Sequence, residues 1–186
     1  MKRTVIKTKW GWLGLAATSK GVAAVVLPKP SRRAAERDLQ NAGAGDDTFS
    51  NGSKSTAAIH LKAARVAVEA YLRGKSRSFD VPVDLEGQPP FRKKVWEVLK
   101  TIPYGRVRSY GWVARKVGKP RAARAVGAAC GANPVPLFVP CHRVVAGDGS
   151  LGGFSGGLSN KKRLLKLEGS RTGRGASRRA RGGRVR

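Results

Sequence analysis

The sequence predicts an α/β protein of the α+β kind, with a sheet-and-helix N-terminal half and a mostly helical C-terminal half. Three observations carry this reading. Short apolar runs separated by turn residues fill positions 3–27. An amphipathic period spans 56–73. After the break "EGQPP" at 86–90, segments of helical spacing follow one another closely. The domains are set at 1–88 and 89–169, with an Arg-rich tail at 170–186 that reads as disordered.

In the first half, "RTVIKTK" (Arg3–Lys9) alternates weakly and predicts a strand. "WGWLGLAAT" and "GVAAVVL" flank Ser19-Lys20 as the arms of a hairpin, with Gly21 helping the turn. Pro28 and Pro30 are expected to end that unit, and Ser31 to cap a short helix reaching about Gln40. "NAGAGDDTFSNGSKS" is small, polar and turn-rich, the composition of an exposed loop. From Thr56 to Arg73, the residues Ile59, Ala63, Val66 and Ala70 mark one helical face, with Ser55 or Thr56 as cap and Gly74 beyond the end. "SFDVPVDL" predicts an edge strand, because Pro82 cannot donate to a sheet interior.

In the second half, Phe91, Val95, Val98, Leu99 and Ile102 trace a helix that Pro103-Tyr104-Gly105 stops. Ser109 caps a short helix through Val117, "GKP" turns the chain, and Pro120 suits the first turn of a helix to about Gly131. Two short helices joined by a glycine turn have the outline of a helix-turn-helix. The second has little bulk at Ala122, Ala123, Ala125, Gly127, Ala128 and Ala129, while Arg121 and Arg124 protrude. Such a helix either packs tightly on a neighbour or brings its backbone close to DNA, with arginines on phosphates or in the base stack.

Charge narrows the partners. The 186 residues hold 38 Lys and Arg against 11 Asp and Glu, a formal net charge of +27. This argues for a polyanion, most commonly nucleic acid, with an anionic membrane surface as the competing reading. Residues 170–186 hold seven Arg and no acid, yet residues 89–169 alone have 16 basic and three acidic residues. The charge is therefore not a property of the tail. The basic, apolar start is interrupted at Thr18-Ser19-Lys20-Gly21, too soon for a bilayer span or a signal peptide. Two cysteines, Cys130 and Cys141, make no disulfide framework and suit a reducing cytoplasm.

"NPVPLFVPCHRVVAGDGSLGGFSGG" (Asn133–Gly157) sets Cys141, His142 and Arg143 between an apolar run and a glycine-rich loop. A free thiol near pKa ~8.5 is only slightly ionised at neutral pH, so a nucleophilic cysteine needs a base, a cation or a helix N-terminus beside it. His142 can reach the sulfur only in a turn or through water, because successive strand residues face opposite ways. On composition alone, a buried structural cysteine with a satisfied imidazole is the competing account. Zinc is disfavoured: Cys130, Cys141, His60 and His142 form no short ligand pair.

"PCHRV" (Pro140–Val144) resembles the active-site signature of the O6-alkylguanine-DNA alkyltransferases, and the likeness runs from Phe91 to Gly169. Residues 1–88 fit that family's variable, ribonuclease-H-like N-terminal domain more loosely. The resemblance implies that Cys141 accepts the alkyl group of O6-alkylguanine in double-stranded DNA, in one turnover and without a cofactor or metal. It implies that His142 and Glu168 activate the thiol, that Asn133 braces the active-site turn, and that Tyr110 donates a proton to the leaving guanine. It places Val144, Gly153, Phe154 and Ser155 around the flipped base. It likewise implies that Arg124 fills the vacated stack, while Ala122, Ala123, Ala125, Gly127 and Arg121 lie along the minor groove. A stoichiometric acceptor is expected to act as a monomer, away from membranes.

The sequence departs from the family pattern at Phe154, where tyrosine is common, at Phe91-Arg92 for Phe-Gln, and in lacking N-terminal zinc ligands. The alternative is a non-catalytic relative that binds alkylated DNA and recruits other repair factors; such relatives lack the acceptor cysteine. A sequence-reading regulator would need long polar side chains on the second helix, which are missing at Ala122–Ala129.

Overall fold

The computed structural model describes residues 1–42 and 55–170, a mixed α/β arrangement with six α-helices among them. Most of the expected turn-rich loop and the tail from residue 171 lie outside the described residues. The chain divides into two compact units: Met1–Glu86 with Pro134–Phe138, and Gly87–Asn133 with Val139 onward. The five residues Pro134–Phe138, which the sequence reading sets in the second domain, thus belong with the first unit.

In the first unit, β1 (Lys2–Thr8), β2 (Gly11–Thr18) and β3 (Gly21–Lys29) form an antiparallel sheet in chain order. Both hairpins use one device. Thr8 Oγ1 accepts the Trp10 N–H at 3.1 Å, and Thr18 Oγ1 accepts the Lys20 N–H at 3.1 Å. Each turn closes on a glycine, Gly11 at φ +123° and Gly21 at φ +148°, where a Cβ would lie 2.4 Å from a backbone oxygen. Pro28 does not end β3. The strand continues to Lys29 through a register shift, the irregularity at which a residue without an N–H is tolerated.

Gly14, Ala16, Ala24 and Val26 meet Leu39 of α1 (Arg32–Ala42), which Ser31 caps by accepting the Ala34 N–H. The alternate residues Leu13, Leu15 and Ala17 are also fully buried, and α2 (Thr56–Leu72) packs on the sheet. Ser55 caps α2, but the face foreseen for it is wrong. Ile59 and Val66 are 60% and 61% exposed, and Ala63 is exposed as well. The buried stripe is Ala64, Val68, Tyr71 and Leu72, one step round the helix. It prevails because Tyr71 and Leu72 bury more area than Ala63 and Ala70, and Tyr71 extends the core through Phe79 to Phe138 at centroid separations of 4.9 and 4.6 Å. The expected strand at "SFDVPVDL" reduces to one parallel bridge, Val22 to Val83.

In the second unit, α3 (Pro90–Lys100) buries Val95, Trp96 and Leu99, and Phe91 and Val98 are only half-buried. Trp96, absent from the expected face, is wholly enclosed and donates its indole N–H to the Ala129 carbonyl at 2.9 Å. α4 (Tyr110–Lys116) is capped by the Ser109 hydroxyl, as expected. α5 (Ala123–Gly131) starts later than foreseen: Pro120 and Arg121 lie in a turn closed by the Ala122 N–H on the Lys119 carbonyl. β4 (Arg108–Ser109) pairs in parallel with β5 (Val144–Val145), which sets the start of α4 beside the segment that follows Cys141. α6 (Leu158–Leu167), which the sequence reading did not identify, closes the unit. Among the described residues, no helix is long and apolar enough to cross a membrane.

Candidate active site

The site is built on a change of direction at Pro140. Its φ of −80° and ψ of 61° make an inverse γ-turn, closed by the Cys141 N–H on the Val139 carbonyl at 2.8 Å. A 3₁₀ turn over Cys141–Arg143 follows. Asn133 holds both pieces, its Nδ2 donating to the Val139 carbonyl at 2.8 Å and to Cys141 Sγ at 3.1 Å. Proline fixes the turn, and the amide fixes the sulfur.

Next along the chain, His142 is completely buried and its Nε2 lies 2.9 Å from Glu168 Oε1. Glu168, just past the end of α6, also accepts Arg143 Nε at 3.1 Å and Nη2 at 2.8 Å, and the Gly105 N–H at 3.1 Å. With Oε1 already bound by the guanidinium, His142 Nε2 carries the proton and Nδ1 is the basic nitrogen. Burial holds the imidazole below its ordinary pKa although Glu168 opposes this, so it rests neutral and able to accept a proton. Arg143 completes the frame by donating Nη1 to the Ile102 carbonyl at 2.7 Å.

A second buried cation went unrecognised in the sequence. Lys161, fully enclosed on α6, donates to the Val144 carbonyl at 2.7 Å, to that of Leu151 and, at 3.4 Å, to that of Gly153. Burial lowers its pKa to about 8, so it remains mostly charged at neutral pH. Burial raises the Cys141 thiol, against the Asn133 hydrogen bond and the Lys161 charge. Cys141 therefore rests as a thiol, and a thiolate formed there would have a buried cation to face. The pattern Lys161, Leu164, Leu165, Glu168 at i, i+3, i+4 and i+7 would have singled out Lys161 from its neighbours, had α6 been identified. Arg143 was noted only for its position; its pairing is a tertiary fact.

A pocket of about 720 Å³ opens onto Cys141, lined among others by Tyr110, Arg124, Gly153, Phe154 and Ser155. Tyr110 donates to the Gly153 carbonyl at 3.3 Å, and burial raises its pKa to about 12, so it keeps its proton. Gly152, at φ +64°, leaves room for that ring: a Cβ there would lie 2.9 Å from Tyr110 Cε2. Ala123, Gly127 and Cys130 of α5 line the same pocket. Arg121, Arg124, Ala125 and Ala128 are exposed, whereas Ala122 is half-buried. Val144 does not line the pocket; its side chain is buried and its carbonyl is held by Lys161. Asn133, His142 and Glu168 do not line the pocket; Asn133 meets it only through the Cys141 sulfur.

A family model described as "6-O-methylguanine DNA methyltransferase, DNA binding domain" matches residues 90–170. The methylated-DNA–protein-cysteine methyltransferase of Methanosarcina acetivorans is 52% identical over 103 residues, which cover 55% of this chain and 65% of the relative. That of Mycobacterium tuberculosis is 51% identical over 104 residues, covering 56% and 62%. These matches thus span just under two thirds of the relatives' length. The crystal structure of M. tuberculosis OGT in complex with DNA superposes with a TM-score of 0.70 at 36% identity, covering 90% of this chain and 92% of that one. The O6-methylguanine-DNA methyltransferase of Pyrococcus kodakaraensis superposes with a TM-score of 0.66 at 30% identity, covering 90% and 99%. On the strength of these matches over nearly the whole fold, the chain belongs to the methylated-DNA–protein-cysteine methyltransferase family.

Proposed function

We propose that this chain repairs DNA by moving the alkyl group of O6-alkylguanine onto Cys141, one group per protein molecule. The observation that carries this reading is the sulfur at the end of an open pocket, held by Asn133 and backed by the buried His142–Glu168–Arg143 chain. In the reaction, the Cys141 thiol gives its proton through a bridging water to His142, whose Nε2–H stays on Glu168. The sulfur then attacks the alkyl carbon, an S–C bond forms and the C–O6 bond breaks, with its electron pair going to the guanine. Tyr110, still protonated, donates to the leaving base. The thioether that remains has no leaving group at neutral pH, so turnover stops after one event.

A base paired in a duplex cannot enter the pocket, so the lesion is flipped out through the minor groove at a cost of a few kcal/mol. Arg124, exposed at the pocket on a helix of small residues, fills the vacated stack. Residues 89–169 act as the DNA-binding and alkyl-acceptor domain, with α4 and α5 as its helix-turn-helix. The three-stranded unit with α1 and α2 is the ribonuclease-H-like N-terminal domain. The protein acts as a cytoplasmic monomer without cofactor, as a stoichiometric acceptor needs neither carrier nor second subunit.

The test is intact-protein mass spectrometry after incubation with a duplex carrying one O6-methylguanine. A gain of one CH2 per molecule, absent in Cys141→Ala, is expected. Tight lesion binding without mass gain would sink the transfer reading and favour the recruiting role.

A further inference from the structure

The N-terminal sheet carries an aromatic and cationic surface with no part in the chemistry at Cys141. In register across the three strands, Lys7 lies opposite Trp12 and Trp12 opposite Lys29. Alternation along β2 puts Trp12 on the same face as Gly14 and Ala16, the face α1 covers. Trp12 lies beyond the start of that helix, where Arg32 arrives. The result is a tryptophan among three cations at one end of the sheet.

The geometry leaves the ring accessible. Lys7 Nζ and Arg32 Cζ are each 6.0 Å from the Trp12 ring, the outer limit of cation–π attraction, so neither caps it closely. Trp12 is half-buried, and so is Trp10 at the tip of the adjoining hairpin. Arg32 and Lys29 are held in place by Glu36 at 2.7 Å and Asp38 at 2.6 Å. Lys7, Lys9 and Arg33 are exposed and make no ion pair among the described residues. A folding role explains the cross-strand packing of Trp12. It does not explain why an exposed lysine without an ion pair stands over the partly open Trp12, at Lys7, and another directly precedes the partly open Trp10, at Lys9.

We propose that this end of the sheet is a second nucleic-acid site, one that takes single strands. Phosphates would sit on Lys7, Lys9 and Arg33 while an unpaired base stacks on Trp12 or Trp10, the pairing of charge and aromatic surface that single-strand binders use. A duplex offers only its phosphates to such a surface, because its bases already stack on one another. Residues 1–88, with 15 Lys and Arg against eight Asp and Glu, are themselves net basic, which favours a polyanion. This site does not depend on alkyl transfer, and failure of the transfer assay would leave it untouched.

The test uses the full chain and a guanine-free single strand, a dye-labelled oligothymidylate with 5-bromouracil substitutions. Irradiation followed by peptide mapping is expected to crosslink the Lys9–Lys20 region, at Trp10 or Trp12. By fluorescence anisotropy, Trp12→Leu combined with Lys7→Gln should weaken binding by about tenfold, and Trp12→Phe, which keeps a stacking face, should stay within about threefold. Circular dichroism checks that each variant folds, and the crosslink map needs no variant at all. Crosslinks confined to residues 87–170 would overturn the proposal. So would binding to phosphatidylserine vesicles with no crosslink in the N-terminal unit.

Discussion

Glu168→Gln changes one atom and removes one charge from the most connected side chain in the site. In the native protein its carboxylate accepts from His142, from Arg143 Nε and Nη2, and from the Gly105 N–H, with no exposure to solvent. A glutamine amide would turn a donor toward one of these donors and leave the Arg143 guanidinium buried without its counter-charge. Breaking a buried ion pair from one side costs about 3–5 kcal/mol, a large part of the ~5–15 kcal/mol that holds a domain folded. Urea denaturation should show that loss. Replacing Arg143 as well, in Glu168→Gln/Arg143→Met, removes the orphaned charge and should restore about half or more of the stability.

Transfer should behave differently. In both variants His142 Nε2 loses its anionic partner, so single-turnover methyl transfer, measured where the protein is folded, should fall by about 10²–10⁴-fold. Stability that returns in the double variant while rate does not would separate the fold-holding role of Glu168 from its hold on the imidazole. If the double variant recovered the rate, Glu168 would act only through the fold and the assignment of His142 as base would be wrong. A native melting profile for Glu168→Gln would refute the buried pair itself.

Three further outcomes are expected. Gly152→Ala puts a Cβ 2.9 Å from Tyr110 at a backbone φ of +64°, so single-turnover transfer should drop at least about tenfold. The Cys130 thiol is raised by burial from 9.0 to about 12, so its contribution to stability is fully present below pH 9 and is lost as pH rises through 12. Cys130→Ala, compared with the parent by urea denaturation under reductant, should therefore lose about 2 kcal/mol less between pH 8 and about 10.5. On α2, Ile59→Lys should change stability by less than ~0.5 kcal/mol and Val68→Ala should cost about 2 kcal/mol, as thermal melting will show; the reverse order would restore the face first read from the sequence.

Features set by neighbours in the chain were legible from the residues. The hairpin turn at Ser19-Lys20, the caps at Ser31, Ser55 and Ser109, and the stop at Pro103-Tyr104-Gly105 depend on one or two side chains and their own backbone. The cluster of chemical groups around "PCHRV" was equally plain, because cysteine and histidine are rare in this chain. Which of two apolar stripes α2 buries was not, since Ile59 and Val66 are as apolar as Val68 and only the sheet beneath decides between them. Nor could a run of three cations at Lys161–Arg163 say which one is buried. Lys161 is inside because three carbonyls at Val144, Leu151 and Gly153 converge there, and Arg143 because Glu168 arrives from 25 residues away. Burying a charge is unfavourable until its partners are assembled, and those partners come together only when the chain has folded.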